Sequence, residues 1–208
     1  MTIVLAILVE PKNNQKPFVI FGSDSLQVKC QIEGSTKKVI GKDGNKQKIY
    51  EIHNFLIAFT GNVQSGFISE IMKFLAENSS KENDISTLLE ITKDYVMSRI
   101  KESSTEEITI TIGTLDTDGK PILKYWKVIK ANGTIDEPLS LETSNEKPFR
   151  FLTAGVEVPD DLMDSLENDI KHEGDFDTVM KNAKKFLGNV AKRYPDVCNQ
   201  NIKLKAVR

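Results

Sequence analysis

The chain has 208 residues, enough to bury a substantial core in one large unit or two small ones. A hydrophobic share of 39% beside 28% charged residues speaks against a disordered chain and against a membrane protein. Lys and Arg total 28 and Asp and Glu 30, a net charge of -2, which argues against a nucleic-acid binder held by a broad cationic face.

Thr2 to Val9 is short and rich in β-branched residues, predicting a strand over 2–9 buried on both faces. A polar turn, Pro11 to Lys16, leads into a second strand over 18–23, giving a hairpin. Residues 27–48 carry many lysines and the run Gly41-Lys-Asp-Gly44, and predict an extended hairpin arm. Strands over 49–52 and 55–60 pair around the His53-Asn54 turn. A helix over 62–78 follows, with Val63, Phe67, Ile71, Phe74 and Leu75 on one stripe. A second, over 85–102, repeats the stripe with Ile85, Leu88, Leu89, Tyr95, Val96 and Ile100, and Asp84 or Ser86 as its N-cap. Ile108 to Ile112 alternates with threonine and predicts a half-buried strand over 108–115. Asp116-Thr-Asp-Gly119 turns it back into a strand over 122–129, and Asn132-Gly133 turns again. Phe149 to Thr153 is one more short strand, helices over 159–171 and 176–193 follow, and Ile202 to Val207 closes the chain as a strand. Segregated runs of strands and helices favour an α+β fold. No Pro-, Gly- or Ser-rich boundary and no repeat interrupts the chain, so a single domain over 1–208 is expected.

Cys30 and Cys198 are far apart and form no CxxC pair, which argues against a disulfide framework and against a structural zinc site. The apolar start, Met1 to Glu10, lacks the basic segment and length of a signal peptide, and nothing approaches the roughly 18 apolar residues of a membrane span. A cytoplasmic protein with no membrane and no nucleic-acid partner is expected, in which the glycosylation-type matches at Asn78 and Asn132 mean nothing. No HExxH, GxSxG, Walker loop or GxGxxG occurs. His53 and His172 lie in polar surroundings and read as surface residues, and neither cysteine has a partner signature. Attention therefore falls on the terminus. Thr2 follows Met1 directly and is small enough for Met1 to be removed, which would leave a hydroxyl and a free α-amino group on one residue. Such an amine, with a reference pKa near 8, can serve as general base for its own hydroxyl.

Four segments give that terminus a context. Thr2-Ile-Val-Leu-Ala-Ile7, Val19-Ile-Phe-Gly-Ser-Asp24-Ser25, Lys48-Ile-Tyr-Glu-Ile52 and Ile57-Ala-Phe-Thr-Gly61 resemble the proteasome β-subunit family, above all its bacterial HslV-type and ancestral-β-subunit-like branches. The order of elements matches along nearly the whole chain, while the specific motifs lie within roughly the first sixty residues. The resemblance implies a four-layer αββα sandwich of the N-terminal-nucleophile hydrolases. It also implies Thr2 as nucleophile, its amine as base, Asp24 as the acid orienting a lysine, and Lys48 as that lysine, with Lys46 competing for the role. The backbone N–H of Ala58, or of a close neighbour, would stand at the oxyanion hole, and Asp196 would support the terminus. The activity implied is hydrolysis of peptide bonds in polypeptide substrates through an acyl-enzyme. The alternatives are a catalytically inactive ring subunit or binding protein, and an amidase of the same class acting on a small amide. The family implies a homo-oligomeric ring and no metal or organic cofactor. Any ATPase partner would be a separate protein, since this chain has no Walker motif.

The sequence departs from the family pattern in four places. Met1 can be aligned in the nucleophile's place, although Thr2 puts small Ala6 where a small residue is usual. Thr153-Ala154-Gly155 stands where a Gly-Ser-Gly run supplies a serine, Ala58 replaces a glycine, and the stretch from Asp24 to Lys48 is longer than usual.

Overall fold

The structure is a computed structural model that describes residues 3–11, 15–33, 36–80, 84–132, 138–172 and 174–208, with the side chains of 28–40, 132, 171 and 172 left aside. Met1 and Thr2 lie outside the described residues, as do 12–14 of the first turn and Gly133 of the later one. The chain runs through β1 (Ile3–Val9), β2 (Phe18–Ser23), β3 (Gln27–Glu33), β4 (Thr36–Asp43), β5 (Ile49–Ile52) and β6 (Phe55–Thr60). Helices α1 (Ser65–Asn78) and α2 (Ile85–Arg99) precede β7 (Glu107–Leu115), β8 (Pro121–Ile129), β9 (Leu139–Glu142) and β10 (Phe149–Gly155). The chain ends with α3 (Asp160–His172), α4 (Phe176–Arg193) and β11 (Lys203–Val207).

This is an α+β fold with antiparallel sheets. One sheet has the order β10-β1-β2-β11, a second β5-β6-β7-β8-β9, and β3 pairs with β4 alone. Strand alternation divides the apolar side chains among three cores. Ile3, Leu5, Ile7, Phe18 and Ile20 pack with Leu166, Phe186, Leu187 and Val190 of α3 and α4. Ile57, Phe59, Ile108, Ile110 and Trp126 pack with Phe67, Ile71, Leu88 and Val96 of α1 and α2. The remaining faces of the two sheets meet through Val4, Ala6, Val19, Phe21, Leu56, Ala58 and Leu123. Close approach there depends on small residues: a Cβ on Gly113 would lie 2.7 Å from Phe21 Cε1 and 3.0 Å from Val19 Cγ1. Among the described residues no helix is long and apolar enough to cross a membrane.

Several expectations need correction. The strand over 107–115 is buried at every position from Ile108 to Thr114, not half-buried, because its threonine face looks onto the other sheet and not into water. The first helix begins at Ser65 and not at 62, since the backbone before it is tied elsewhere. Asn62 C=O accepts the Glu106 N–H at 3.1 Å, the Asn62 amide donates to the Glu106 carboxylate, and Gln64 N–H donates to Thr105 Oγ1 at 3.4 Å. The second helix stops at Arg99, whose C=O accepts the turn N–H groups of Glu102 and Ser103 at 3.1 and 3.3 Å. Asp84, not Ser86, caps it, accepting the Thr87 N–H at 2.7 Å. The arm's ladder closes at Asp43, so residues 44–48 return to the body of the fold and lie outside the ladder. The edge strand β9 has no counterpart in the sequence reading.

Candidate functional site

At the end of β2 the Asp24 side chain folds back on its own backbone, accepting the Leu26 N–H on Oδ2 at 2.9 Å. Such an Asx turn ends the strand and fixes the carboxylate. The other oxygen, Oδ1, accepts the Ile3 N–H at 3.1 Å and the Lys48 ammonium at 2.8 Å. Lys48 stands just before β5 and also donates to the Leu26 C=O at 2.6 Å. Asp24 has no exposed surface and Lys48 is 8% exposed, so the pair lies out of water. Burial pushes the Lys48 ammonium below its usual pKa, and the adjoining Asp24 charge partly opposes that shift.

Polar contacts from two other segments hold this turn. Ser25 N–H donates to Asn199 Oδ1 at 3.1 Å, Ser25 Oγ donates to the Gly44 C=O, and Asn199 Nδ2 donates to the same C=O at 3.1 Å. Lys46 N–H donates to the Ser25 C=O at 2.9 Å. The turns at 24–26, 44–48 and 198–201 are thereby stitched together. Cys198 is buried beside them, and burial, with the Asp24 charge adding and Lys48 opposing, pushes its thiol up to about 11.

The structure thus brings Asp24 and Lys48 together against Ile3, while Thr2 lies outside the described residues. Lys46 is not part of the group; its ammonium lies 3.4 Å from Asp43 Oδ2. Asp196 also stands apart, with its side chain 95% exposed and 3.3 Å from the Lys42 ammonium. Ala58 sits in mid-β6, paired with Ile49 on one side and Thr111 on the other. A residue flanked by ladders on both sides has its N–H committed to one of them. Ala154 is buried in β10 opposite Val4. His53 is an exposed turn residue with φ of 55°. Sequence reasoning missed Asn199 and the carbonyl of Gly44, and no pattern around either marks them. Among the described residues no three His, Cys, Asp or Glu side chains gather so as to hold a metal ion.

No protein-family model matches the chain, and no curated protein matches it. Solved structures match over almost its entire length. BPH from Thiobacillus denitrificans, in complex with epoxomicin, is 11% identical with a TM-score of 0.58, covering 98% of each chain. The helical assembly of the Anbu complex from Pseudomonas aeruginosa is 10% identical with a TM-score of 0.58, covering 98% of this chain and 81% of that one. Anbu (ancestral beta-subunit) from Yersinia bercovieri is 12% identical with the same TM-score of 0.58, again over 98% and 81%. At such identities the likeness establishes a proteasome-like fold. It lends no support to the HslV-type branch in particular.

Proposed function

We propose that this chain is an N-terminal-nucleophile threonine peptidase of proteasome-like fold, in which removal of Met1 exposes Thr2 as nucleophile. One observation carries the reading: the buried Asp24 carboxylate binds Lys48 and, at 3.1 Å, the N–H of Ile3, the residue bonded to Thr2. Ile3 is joined to Thr2 by one peptide bond, and on this reading the ion pair serves the residue next to it in the chain. In the first step the Thr2 hydroxyl passes its proton to the α-amino group of the same residue as Oγ bonds the substrate carbonyl carbon. The carbonyl π electrons move onto oxygen. Collapse of that intermediate breaks the C–N bond, and the departing amine takes the proton back from the ammonium group. Water, deprotonated by the same amine, then hydrolyses the ester. Lys48, held charged by Asp24, lowers the hydroxyl's pKa and stabilises the developing anion.

Three stacked cores support a four-layer αββα sandwich built as one domain over 1–208. The proposed setting is a cytoplasmic homo-oligomer acting on polypeptide, and the Pseudomonas aeruginosa neighbour, described as a helical assembly, supports the self-association. No metal or organic cofactor enters the mechanism, and an ATPase, if one delivers substrate, is a separate chain. Intact-mass measurement and a peptide epoxyketone test the proposal. The expected result is loss of Met1, one adduct on the wild type, none on Thr2→Ala, and turnover of fluorogenic peptides. Retained Met1 with no adduct leaves the inactive ring subunit or binding protein. An adduct with hydrolysis of small amides but not of peptides leaves the amidase.

A further inference from the structure

The two large sheets have four edges, and three of them are guarded. β5 and β9 are only four residues long, and β11 carries Lys203 and Lys205, of which Lys205 reaches Glu51 of β5 at 3.5 Å. Short strands and lysines are the usual devices against pairing with another chain. β10 has neither. Its seven residues, Phe149-Arg-Phe-Leu-Thr-Ala-Gly155, pair with β1 in unbroken register, and among the described residues no strand lies on their other side. Phe149, Phe151 and Leu152 are only partly buried there, and Arg150 is the one charge. Pro148, just before the strand, does not guard the edge either, because its carbonyl is turned inward and accepts the Glu10 N–H at 2.7 Å. Hydrogen-bonded and non-hydrogen-bonded pairs alternate along an antiparallel ladder. Counted from Pro148, therefore, Arg150, Leu152 and Ala154 turn their backbone groups to β1, and Phe149, Phe151, Thr153 and Gly155 present theirs outward.

We infer that this edge is a two-fold interface, at which β10 of a second copy of the chain adds antiparallel to β10 of the first. A two-fold axis normal to the sheet keeps each side chain on its own face, and full overlap puts that axis at Leu152, the middle residue of the strand. The register follows. Thr153 stands opposite Phe151 and Gly155 opposite Phe149 of the other copy, and these are the residues whose backbone groups point outward. Large side chains thereby meet small ones: Phe149 covers a glycine, Phe151 a threonine, and Arg150 faces Ala154. The two Arg150 residues are about 13 Å apart along the strands, more than the screening length at physiological salt. The start of one strand lies at the end of the other, which brings exposed Lys147 of one copy to the strand end flanked by exposed Glu157 of the other. The bulky half of the strand is complementary to its small half, a match that only a second copy supplies by construction. The inference gives the proposed homo-oligomer a surface, and it is independent of the peptidase chemistry and of any head-to-tail contact that closes a ring.

Sedimentation velocity reads the mass, and cysteine cross-linking reads the register. At micromolar protein and about 500 mM salt, where charged head-to-tail contacts are screened, the wild type should sediment at twice the 23.4 kDa monomer mass. Over the wild-type background of Cys30 and Cys198, Leu152→Cys should give a disulfide-linked dimer under mild oxidation. It should form about tenfold or more faster than with Arg150→Cys, whose thiols would lie about 13 Å apart. Thr153→Lys sets two lysines beside the axis, and should raise the dimer dissociation constant about tenfold or more with an unchanged circular dichroism spectrum. Should that variant fail to fold, the two cysteine variants still decide. Equal cross-linking at 152 and 150, or none at either, overturns the β10 contact even where the chain assembles at low salt. A wild-type monomer at high salt overturns it as well. Failure of the peptidase reading shows separately, as a missing epoxyketone adduct on a chain that still dimerises.

Discussion

Both carboxylate oxygens of Asp24 are engaged inside the protein, by Ile3 N–H and Lys48 on one and Leu26 N–H on the other. Removing Lys48 alone strands that charge, and Lys48→Met is expected to lower unfolding free energy by about 3–5 kcal/mol. Lys48→Met with Asp24→Asn removes both charges and should recover most of the loss, since a buried pair is worth little against neutral packing. Urea unfolding of both singles and the double checks this; a cost near that of an exposed pair would refute a dry site. Cys198 adds a pH signature. Its thiol is raised from 9.0 to about 11, so between those values the unfolded chain loses this proton while the folded chain keeps it. The native state then binds more protons, and the thiol's contribution falls as pH rises. Lys48 acts in the opposite sense: its folded pKa lies below 10.5, so the native state binds fewer protons just under that value and stability rises with pH. Comparison with Cys198→Ala isolates the thiol, and the wild type should lose on the order of 2 kcal/mol relative to the variant from pH 8.5 to 11. An invariant difference would place the thiol in contact with water. Asp24 and Lys48 are legible in the sequence because each sits at a strand end inside a recognisable run. Asn199 is not, because a loop asparagine acquires its role from the carbonyl it meets 155 residues away. Asp196 shows the converse, a carboxylate at a suggestive position whose partner is surface Lys42.

Small residues along β6 and β7 set how closely the two sheets approach. Gly113→Ala puts a methyl within 3.0 Å or less of two Phe21 ring atoms, and the ring is itself buried. The expected cost is about 1–3 kcal/mol, read as a lower urea midpoint at unchanged slope. Gly188 in α4 is the control, because a Cβ there meets nothing within 4 Å. Gly188→Ala should stabilise by about 0.5–1 kcal/mol through helix propensity. If Gly113→Ala is as harmless as Gly188→Ala, the sheets are not in tight contact. Elements were legible where local periodicity records burial: α4 occupies the predicted 176–193, and the Phe67, Ile71 and Leu75 stripe of α1 faces its core. Periodicity misleads in β7, where alternation of isoleucine with threonine looks half-solvated although the threonines face another sheet. It is silent for β9, four residues on a sheet edge with Leu139 largely exposed, which pairing with β8 alone defines.

At the scale of the molecule, the α+β order follows from the sequence, whereas the pairing of β1 with β10 and of β2 with β11 joins positions 140 to 188 residues apart and leaves no local trace. The surface bears on self-association in the same way. Leu139, at 62% exposure, is the one large hydrophobic residue that stands out among the described residues. The charged faces of the described surface are therefore where the proposed homo-oligomer is sought. Exposed acidic residues gather at the start of α3, at Glu157, Asp160, Asp161 and Asp164, while α4 exposes Lys181, Lys184 and Lys185. Unlike surfaces meeting head to tail generate a ring when the rotation closes and a helix when it does not. Contacts of that kind are screened by salt, because the Debye length falls from above 10 Å to a few ångströms between about 50 mM and about 500 mM salt. Sedimentation velocity at micromolar protein should accordingly show species larger than the 23.4 kDa monomer at low salt and a shift toward that mass at high salt. Asp160→Lys with Asp164→Lys should weaken assembly at low salt while leaving the fold intact, since both side chains are exposed. A monomer at both ionic strengths defeats the oligomer proposal. Assembly that salt and the charge reversal leave untouched defeats its electrostatic basis.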